Sequence, residues 1–313
     1  MKGNFIYFSR CYVNSAYRLA SLRLKGKKVN PQTIAGKKVI QDAENIIYDK
    51  VLRNQPFMMA RYGSVELSII VKYVTKQMGL IKEIPDKHMN VLCNNAGFFP
   101  KNKYLAEKFA ELMIESSKQV DLLVAWNDIM EDYVIKMFAP QTQLIRYVSM
   151  EPFLNTNPWS AALEGKKVLV IHPFEESIKH QYSKREVLFE NQKVLPDFEL
   201  KTIKAVQTIA GNLSGFETWF EAFQYMLEKV KGIDFDIAIL GCGAYGFPLA
   251  AEIKKMGKQA VHLGGGTQIL FGIKGKRWDN VSEIKKLYNQ YWISPNESER
   301  PKDFNTIEGG CYW

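Results

Sequence analysis

Residues 234–278 read DFDIAILGCGAYGFPLAAEIKKMGKQAVHLGGGTQILFGIKGKRW. From Asp236 to Leu240 the run is apolar apart from its first residue, of strand length, and rich in isoleucine. Gly241-Cys242-Gly243 breaks it. Tyr245 to Lys255 then predicts a helix whose last basic residues give way to Met256 and Gly257, the usual form of a helix C-terminus. Gln259 to Leu263 predicts a second strand, which runs into Gly264-Gly265-Gly266. Strand, glycine turn, helix, strand, glycine turn is a βαβ unit with both turns at strand C-terminal ends, the edge at which open α/β sheets bind ligands. Glycine there lets backbone N–H groups approach an anion, and a helix N-terminus favours negative charge.

The same glycines also read as plain turns. Gly241, Gly243 and Gly246 fit GxGxxG, which alone is a weak signal. No acidic residue closes the second strand, where a dinucleotide fold holds a ribose; His262 and Gly264 stand there instead. Lys274, Lys276 and Arg277 follow the two turns, and the combination favours a phosphate-bearing ligand, a diphosphate rather than NAD.

The whole chain has 313 residues, 46% hydrophobic and 24% charged, enough for one large domain or two closely packed ones. No apolar run of about 18 residues occurs, so no transmembrane helix is expected. The first twenty residues lack the apolar core and small-residue cleavage site of a secretion signal. Cys11, Cys93, Cys242 and Cys311 are scattered without a CxxC pair, which suits a reducing cytoplasm and argues against structural zinc. The net charge of +9 points to an anionic partner. Its densest cluster, Arg18 to Lys28 (RLASLRLKGKK), lies beside Phe5, Ile6, Tyr7, Phe8, Tyr12 and Tyr17. Two readings stand: a helix lying on an anionic membrane, at its inner face, or a helix packed on the domain with solvated lysines. No nucleic-acid motif is present, and nucleic acid is not an expected partner.

Along the chain, Lys38 to Arg53 shows helical spacing of Ile40, Ala43, Ile46, Ile47 and Val51. Pro56 to Ala60 predicts a strand that delivers Arg61-Tyr62-Gly63-Ser64-Val65-Glu66 to its end, with Ser64 as N-cap of the next helix. Arg61 and Glu66 there suit a phosphorylated or metal-bound ligand, or else a local ion pair and a helix-dipole contact. Ile84 to His88 and Asn94 to Pro100 read as loops, and Lys103 to Lys118 as a helix. Val120 to Ala125 and Gln143 to Ser149 predict strands, placing Trp126, Asn127, Asp128 and Glu151 at strand ends. Gly165 to Phe174 is the cleanest remaining strand; it ends at His172, a base, a phosphate donor, or a histidine filling a sheet edge. A helix over 175–189, a strand over 198–206, a loop to Ser214 and helices over 217–231 and 280–292 complete the pattern. Repeated strand–helix alternation predicts an α/β fold with a doubly wound, mainly parallel Rossmann-like sheet. The organisation expected is a basic aromatic arm (1–37), one Rossmann-like domain (38–292) and a polar tail (293–313) that docks through Cys311-Tyr312-Trp313 or stays free.

With these residues in view, the chain resembles the GT-D fold glycosyltransferases of bacterial surface-glycan synthesis. Residues 57–66 (FMMARYGSVE) look like that family's strand and turn, an Arg-aromatic-Gly followed by Asp-x-Glu. Residues 240–250, Gly264 to Gln268 and Lys276 to Trp278 look like its other characteristic segment, so the similarity spans roughly residues 40–280. The resemblance implies a hexosyltransferase-type enzyme that moves a sugar from a nucleotide-diphosphate donor, commonly UDP-linked. Its acceptor is a glycan or lipid-linked glycan in polysaccharide or glycoconjugate synthesis. It implies donor contacts from Arg61, Tyr62, Gly63 and Ser64, from Gly241, Gly243 and Tyr245, and from Gly264, Gly265, Gly266 and Gln268. Lys274, Lys276 and Arg277 join them at the diphosphate. The family's Asp-x-Glu pair supports Mn or Mg. Here Ser64 takes the aspartate's position, leaving Glu66 as the one metal ligand, and a hard cation prefers charged oxygens. Metal dependence is therefore in doubt, since the basic residues can neutralise the leaving group. For the base that takes the acceptor's proton, Glu66, His172 and Asp128 are candidates in that order. The alternatives are an NAD(P)-dependent oxidoreductase using the GxGxxG turn, and a non-catalytic nucleotide-sugar-binding member of the same fold.

Overall fold

The computed structural model describes residues 2–25, 32–212, 214–306 and 309–313. Within them the strands are β1 (Thr33–Ile34), β2 (Lys37–Ile40), β3 (Phe57–Ala60), β4 (Leu122–Val124), β5 (Gln143–Ile145), β6 (Lys167–His172), β7 (Glu199–Lys204), β8 (Ile237–Leu240) and β9 (Gln259–Val261). They form one sheet in the order β1-β2-β5-β4-β3-β9-β8-β6-β7. Every pairing is parallel except that of β1 with β2. The expected α/β, mainly parallel, doubly wound sheet is what the chain adopts.

Short strands that are apolar on both faces suit this arrangement, because helices cover each side. Alternate residues divide between two cores. Met58, Ala60, Leu123, Leu169, Ala238 and Leu240 face the layer of helices Ser64–Gln77, Lys103–Ser117, Trp219–Lys231 and Gly246–Lys255. Phe57, Met59, Leu122, Val124, Ile239 and Val261 face the side that carries Glu44–Leu52, Glu175–Tyr182 and the C-terminal segment. The helix Trp219–Lys231 is capped by Thr218, whose hydroxyl accepts the Glu221 N–H at 3.2 Å. It buries Trp219 fully, and such burial contributes about 2–3 kcal/mol.

From β3 the chain steps outward through β4 to β5; from β6 it builds the other half and returns through β8 to β9, which closes against β3. The two halves meet there. That is the switch point at which an open parallel sheet leaves a crevice above its strand C-termini.

Several local expectations are corrected. The N-terminal part of 38–53 is β2, seated beside β5, and the helix is confined to Glu44–Leu52. Cross-strand pairing overrides the helical spacing there. Asp86–Ala96 is a helix that begins directly after Pro85 and ends at Gly97, whose φ of +71° no β-branched residue would accept. The strand over 143–149 stops at Ile145, and Tyr147–Met150 turns into a helix. Ser64 is the first helical residue, and Gly63 occupies the cap. The helix over 175–189 splits into Glu175–Tyr182 and Arg185–Leu188, and only Ser282–Lys285 of 280–292 is α-helical. Glu131–Phe138 is a helix that periodicity did not single out. Of the N-terminal arm, Lys2–Lys25 is one helix, packed through Phe8 on Tyr133 with ring centroids 5.1 Å apart. Lys27 and Lys28 of the basic cluster lie outside the described residues.

Candidate functional site

The C-terminal ends of β3 to β9 open into a cavity of about 920 Å³. Each strand delivers its following residues there: Arg61 to Glu66 after β3, Trp126 to Asp128 after β4, Arg146 and Tyr147 after β5, His172 from β6, Gln207 and Thr208 after β7, Gly241 to Gly243 after β8, and His262 and Gly264 after β9. The volume is that of a site for a nucleotide-sized ligand.

Of the residues expected at the site, Arg61, Tyr62, Gly63, Ser64, Glu66, Asp128, His172, Gly241, Gly243, Tyr245, Gly264, Gly265, Gln268 and Arg277 line this cavity; Gly266, Lys274 and Lys276 do not. Lys274 extends over the Tyr288 ring at 5.4 Å and Lys276 over Phe304 at 5.9 Å. Of the three basic residues only Arg277 reaches the cavity; its guanidinium lies 4.6 Å from the centre of the Tyr312 ring and donates to the Tyr312 hydroxyl at 3.0 Å.

The main cationic groups come from separate segments: Arg18 from the N-terminal helix, Arg61 after β3, Arg146 after β5, and Arg277 near the tail. Arg18 sits 3.9 Å from Asp132. Among the described residues the half-buried Arg61 and Arg146 guanidinium groups donate no side-chain hydrogen bond and form no ion pair; Arg61 lies 5.5 Å over the Trp126 ring. Arg146 was not expected at the site. The signal was present, an arginine following an apolar strand as Arg61 follows β3, but continuing the strand to Ser149 put Arg146 inside it.

The glycines do more than turn the chain. Gly264 has φ +63°, and a Cβ there would stand 2.5 Å from Arg61 Nη2, so glycine lets the guanidinium lie against the backbone. At Gly266 a Cβ would meet Glu151 Oε2 at 2.2 Å. At both positions the missing Cβ leaves room for one of this chain's own side chains.

Two fully buried carboxyls support the site from behind. Burial pushes the Glu151 pKa up to about 7, against the opposing pull of the Arg61 charge and of the neighbouring Tyr147 hydroxyl, which is its hydrogen-bonding neighbour in the cavity wall. Glu131, likewise raised to about 7 by burial, accepts the Trp126 N–H at 3.3 Å and the Asp128 N–H at 3.0 Å. It holds the 126–128 loop, where Asn127 takes φ +57°. Glu131 carries no sequence signal beyond its place in a helix, because its role depends on a loop folding back over it.

Glu66 lies over its own helix N-terminus, against Gly63; burial raises its pKa, with backbone hydrogen bonding and Arg61 opposing. Asp128 accepts the Ile129 N–H at 2.8 Å. His172 Nδ1 accepts the Phe174 N–H at 2.9 Å, which places the ring proton on Nε2, and burial lowers its pKa to about 3. It is a neutral donor. Tyr62 donates to Ser117 at 2.7 Å and Tyr245 stacks on Trp219 at 4.7 Å, so both rings serve the wall of the cavity. Gln268 donates to the carbonyls of Lys274 at 3.0 Å and Tyr312 at 3.2 Å, and the Arg277 N–H donates to Cys311 at 2.9 Å. These bonds hold the segment 311–313 against the cavity, with Trp313 buried beside Phe174 at 5.8 Å.

Among the described residues no group of three or more His, Cys, Asp or Glu side chains is placed to hold a metal ion. Glu66, with its pKa raised and Arg61 nearby, does not by itself fit a hard divalent ion.

No protein-family model matches the chain, and no curated protein matches it. Two solved structures are similar. A selenomethionine-substituted structure of domain of unknown function 1792 aligns at 12% identity and a TM-score of 0.42, over 74% of this chain and 79% of its own. A second structure, described as showing that the highly conserved domain of unknown function 1792 has a distinct glycosyltransferase fold, aligns at 12% identity and 0.44, over 85% and 93%.

Proposed function

We propose that the chain is a glycosyltransferase that takes a nucleotide-diphosphate sugar, of which a UDP-sugar is the first choice, and passes the sugar to a glycan acceptor. The observation that carries this reading is the convergence of Arg18, Arg61, Arg146 and Arg277 on one cavity at the sheet's switch point. A diphosphate carries the charge those groups match, and planar guanidinium groups bind phosphate oxygens in pairs. Neutral His172, with its proton on Nε2, adds a donor without adding charge. Trp126, Tyr147 and Tyr312 supply ring faces for a base.

In this reading Arg61 and its cationic neighbours stabilise the charge that develops on the departing diphosphate, in a cavity where water screens little. Glu66 takes the acceptor hydroxyl's proton; burial keeps it basic enough for that work while Arg61 keeps it ionisable. Asp128 is the second choice, and His172 serves as donor because its Nδ1 is engaged. No step is assigned to a metal, since the residues present do not fit one unaided.

The test is a thermal-shift series with UDP, GDP, CMP and NAD, each with and without Mn²⁺, because a ligand that binds only the native state raises its apparent stability. A shift with UDP that is indifferent to Mn²⁺ is expected. A shift with NAD alone would replace the reading with a dinucleotide enzyme. With UDP bound, Glu66→Gln is expected to keep the shift and lose transfer.

A further inference from the structure

The N-terminal helix Lys2–Lys25 is apolar on both sides. Phe8, Cys11 and Ser15 form its inner face, buried against the helix Glu131–Phe138; the Ser15 hydroxyl accepts the Met130 N–H at 3.0 Å. On the opposite face Ile6, Val13 and Tyr17, spaced seven and four residues apart, are 68%, 65% and 76% exposed, with Phe5 and Tyr12 flanking them. Nothing in the described chain covers this stripe. The helix has basic residues at Lys2, Arg10, Arg18, Arg23 and Lys25 and no acidic residue anywhere along its length.

Beside the stripe is a second, smaller cavity of about 360 Å³, between the helix and the β1–β2 turn. Arg10, Arg18 and Lys136 line it, with Asp132 as its acidic member, and Lys136 lies 4.4 Å over the Tyr7 ring. An apolar stripe flanked by a cationic crevice has the chemistry of a bilayer boundary, with acyl chains against the stripe and lipid phosphate at the crevice.

We infer that the helix Lys2–Lys25 seats the protein on an anionic phospholipid surface, with Ile6, Val13 and Tyr17 in the interface and Arg10 and Lys136 on a headgroup phosphate. The absence of acidic groups from the helix favours an anionic occupant, and the exposed stripe of Ile6, Val13 and Tyr17 favours a bilayer over a soluble acidic or neutral one. The helix also forms part of the main cavity's wall through Ser15, Tyr17 and Arg18. Seating it therefore brings the cavity to the bilayer, which makes a lipid-linked glycan the acceptor class; that last step alone rests on the proposed transferase reading.

The experiment is flotation of the full chain with phosphatidylcholine vesicles, with and without about 30 mol% phosphatidylglycerol, in the absence of any nucleotide. Binding to the anionic vesicles only is expected. The doubly substituted Ile6→Asp, Val13→Asp chain should bind at least about tenfold more weakly. Arg10→Glu with Lys136→Glu should do the same with the apolar stripe intact. Both variants alter exposed side chains, so their unfolding midpoints and any UDP shift should match the parent. Equal binding to both vesicle types, no binding to either, or full binding by the stripe variant would overturn the inference. So would a dimer in light scattering that the stripe variant dissociates, since a second copy would then be the occupant. Vesicle binding without a UDP shift would leave the seat standing and remove the transferase, so the two failures are distinguishable.

Discussion

Replacing Glu151 with glutamine tests whether burial outweighs Arg61 and Tyr147 at the carboxyl behind the cationic cavity. Glu151 is fully buried, and burial raises its pKa from the usual 4.5 to about 7 even though Arg61 and the Tyr147 hydroxyl pull the other way. Below about pH 4.5 the carboxyl is protonated in both states and contributes no pH dependence. Between about 4.5 and 7 the unfolded chain has released the proton and the folded chain keeps it, so stability falls as pH rises. Above about 7 both are ionised and the loss is complete. A displacement of that size corresponds to about 3 kcal/mol at most. Glu151→Gln removes this dependence while keeping the shape. Urea unfolding of both chains from pH 4.5 to 8 should show the variant gaining about 3 kcal/mol on the parent across the range. The parent-like slope that remains belongs partly to Glu131, which burial raises in the same way. A relative change below about 1 kcal/mol, or one of opposite sign, would refute the reasoning: Arg61, Tyr147 or water would then offset the burial of Glu151.

Arg61→Ala and Arg146→Ala should each weaken UDP binding by about ten- to a hundredfold in calorimetry, because each removes a charge-assisted contact to phosphate; unchanged affinity in both would remove the cationic cavity as donor site. Gly241→Ala would set a Cβ 2.5 Å from His172 Cδ2 and 2.8 Å from the Gly264 carbonyl oxygen. Overpacking of that kind should cost about 1–3 kcal/mol in urea unfolding, whereas a neutral result would mean that the turn yields easily.

How much was legible beforehand differs from element to element. The βαβ unit over 236–263 could be read because strand burial on both faces leaves an unbroken apolar run and glycine marks each turn. Both are local signals. Arg61 and Glu66 were found for the same reason, since they sit directly after such a run. The helix Asp86–Ala96 was hidden by Pro85, which suggests a loop but stands at the N-terminal end of a helix, where proline is tolerated. Arg146 was hidden because β5 has only three residues, too few to show where it ends.

The sequence alone determined the class of fold, the glycine turns and the sheet edge at which the large cavity opens, because periodicity and turn chemistry act within a few residues of chain. It also exposed the basic, aromatic character of the first helix. The tertiary structure decided which charges share a cavity. It brought Arg18, Arg146 and Arg277 to Arg61 across the sheet, took Lys274 and Lys276 away to aromatic rings, and set Glu151 and Glu131 in the protein interior. Those placements depend on strand order, and strand order follows from how two cores close around a sheet, which no single stretch of chain encodes.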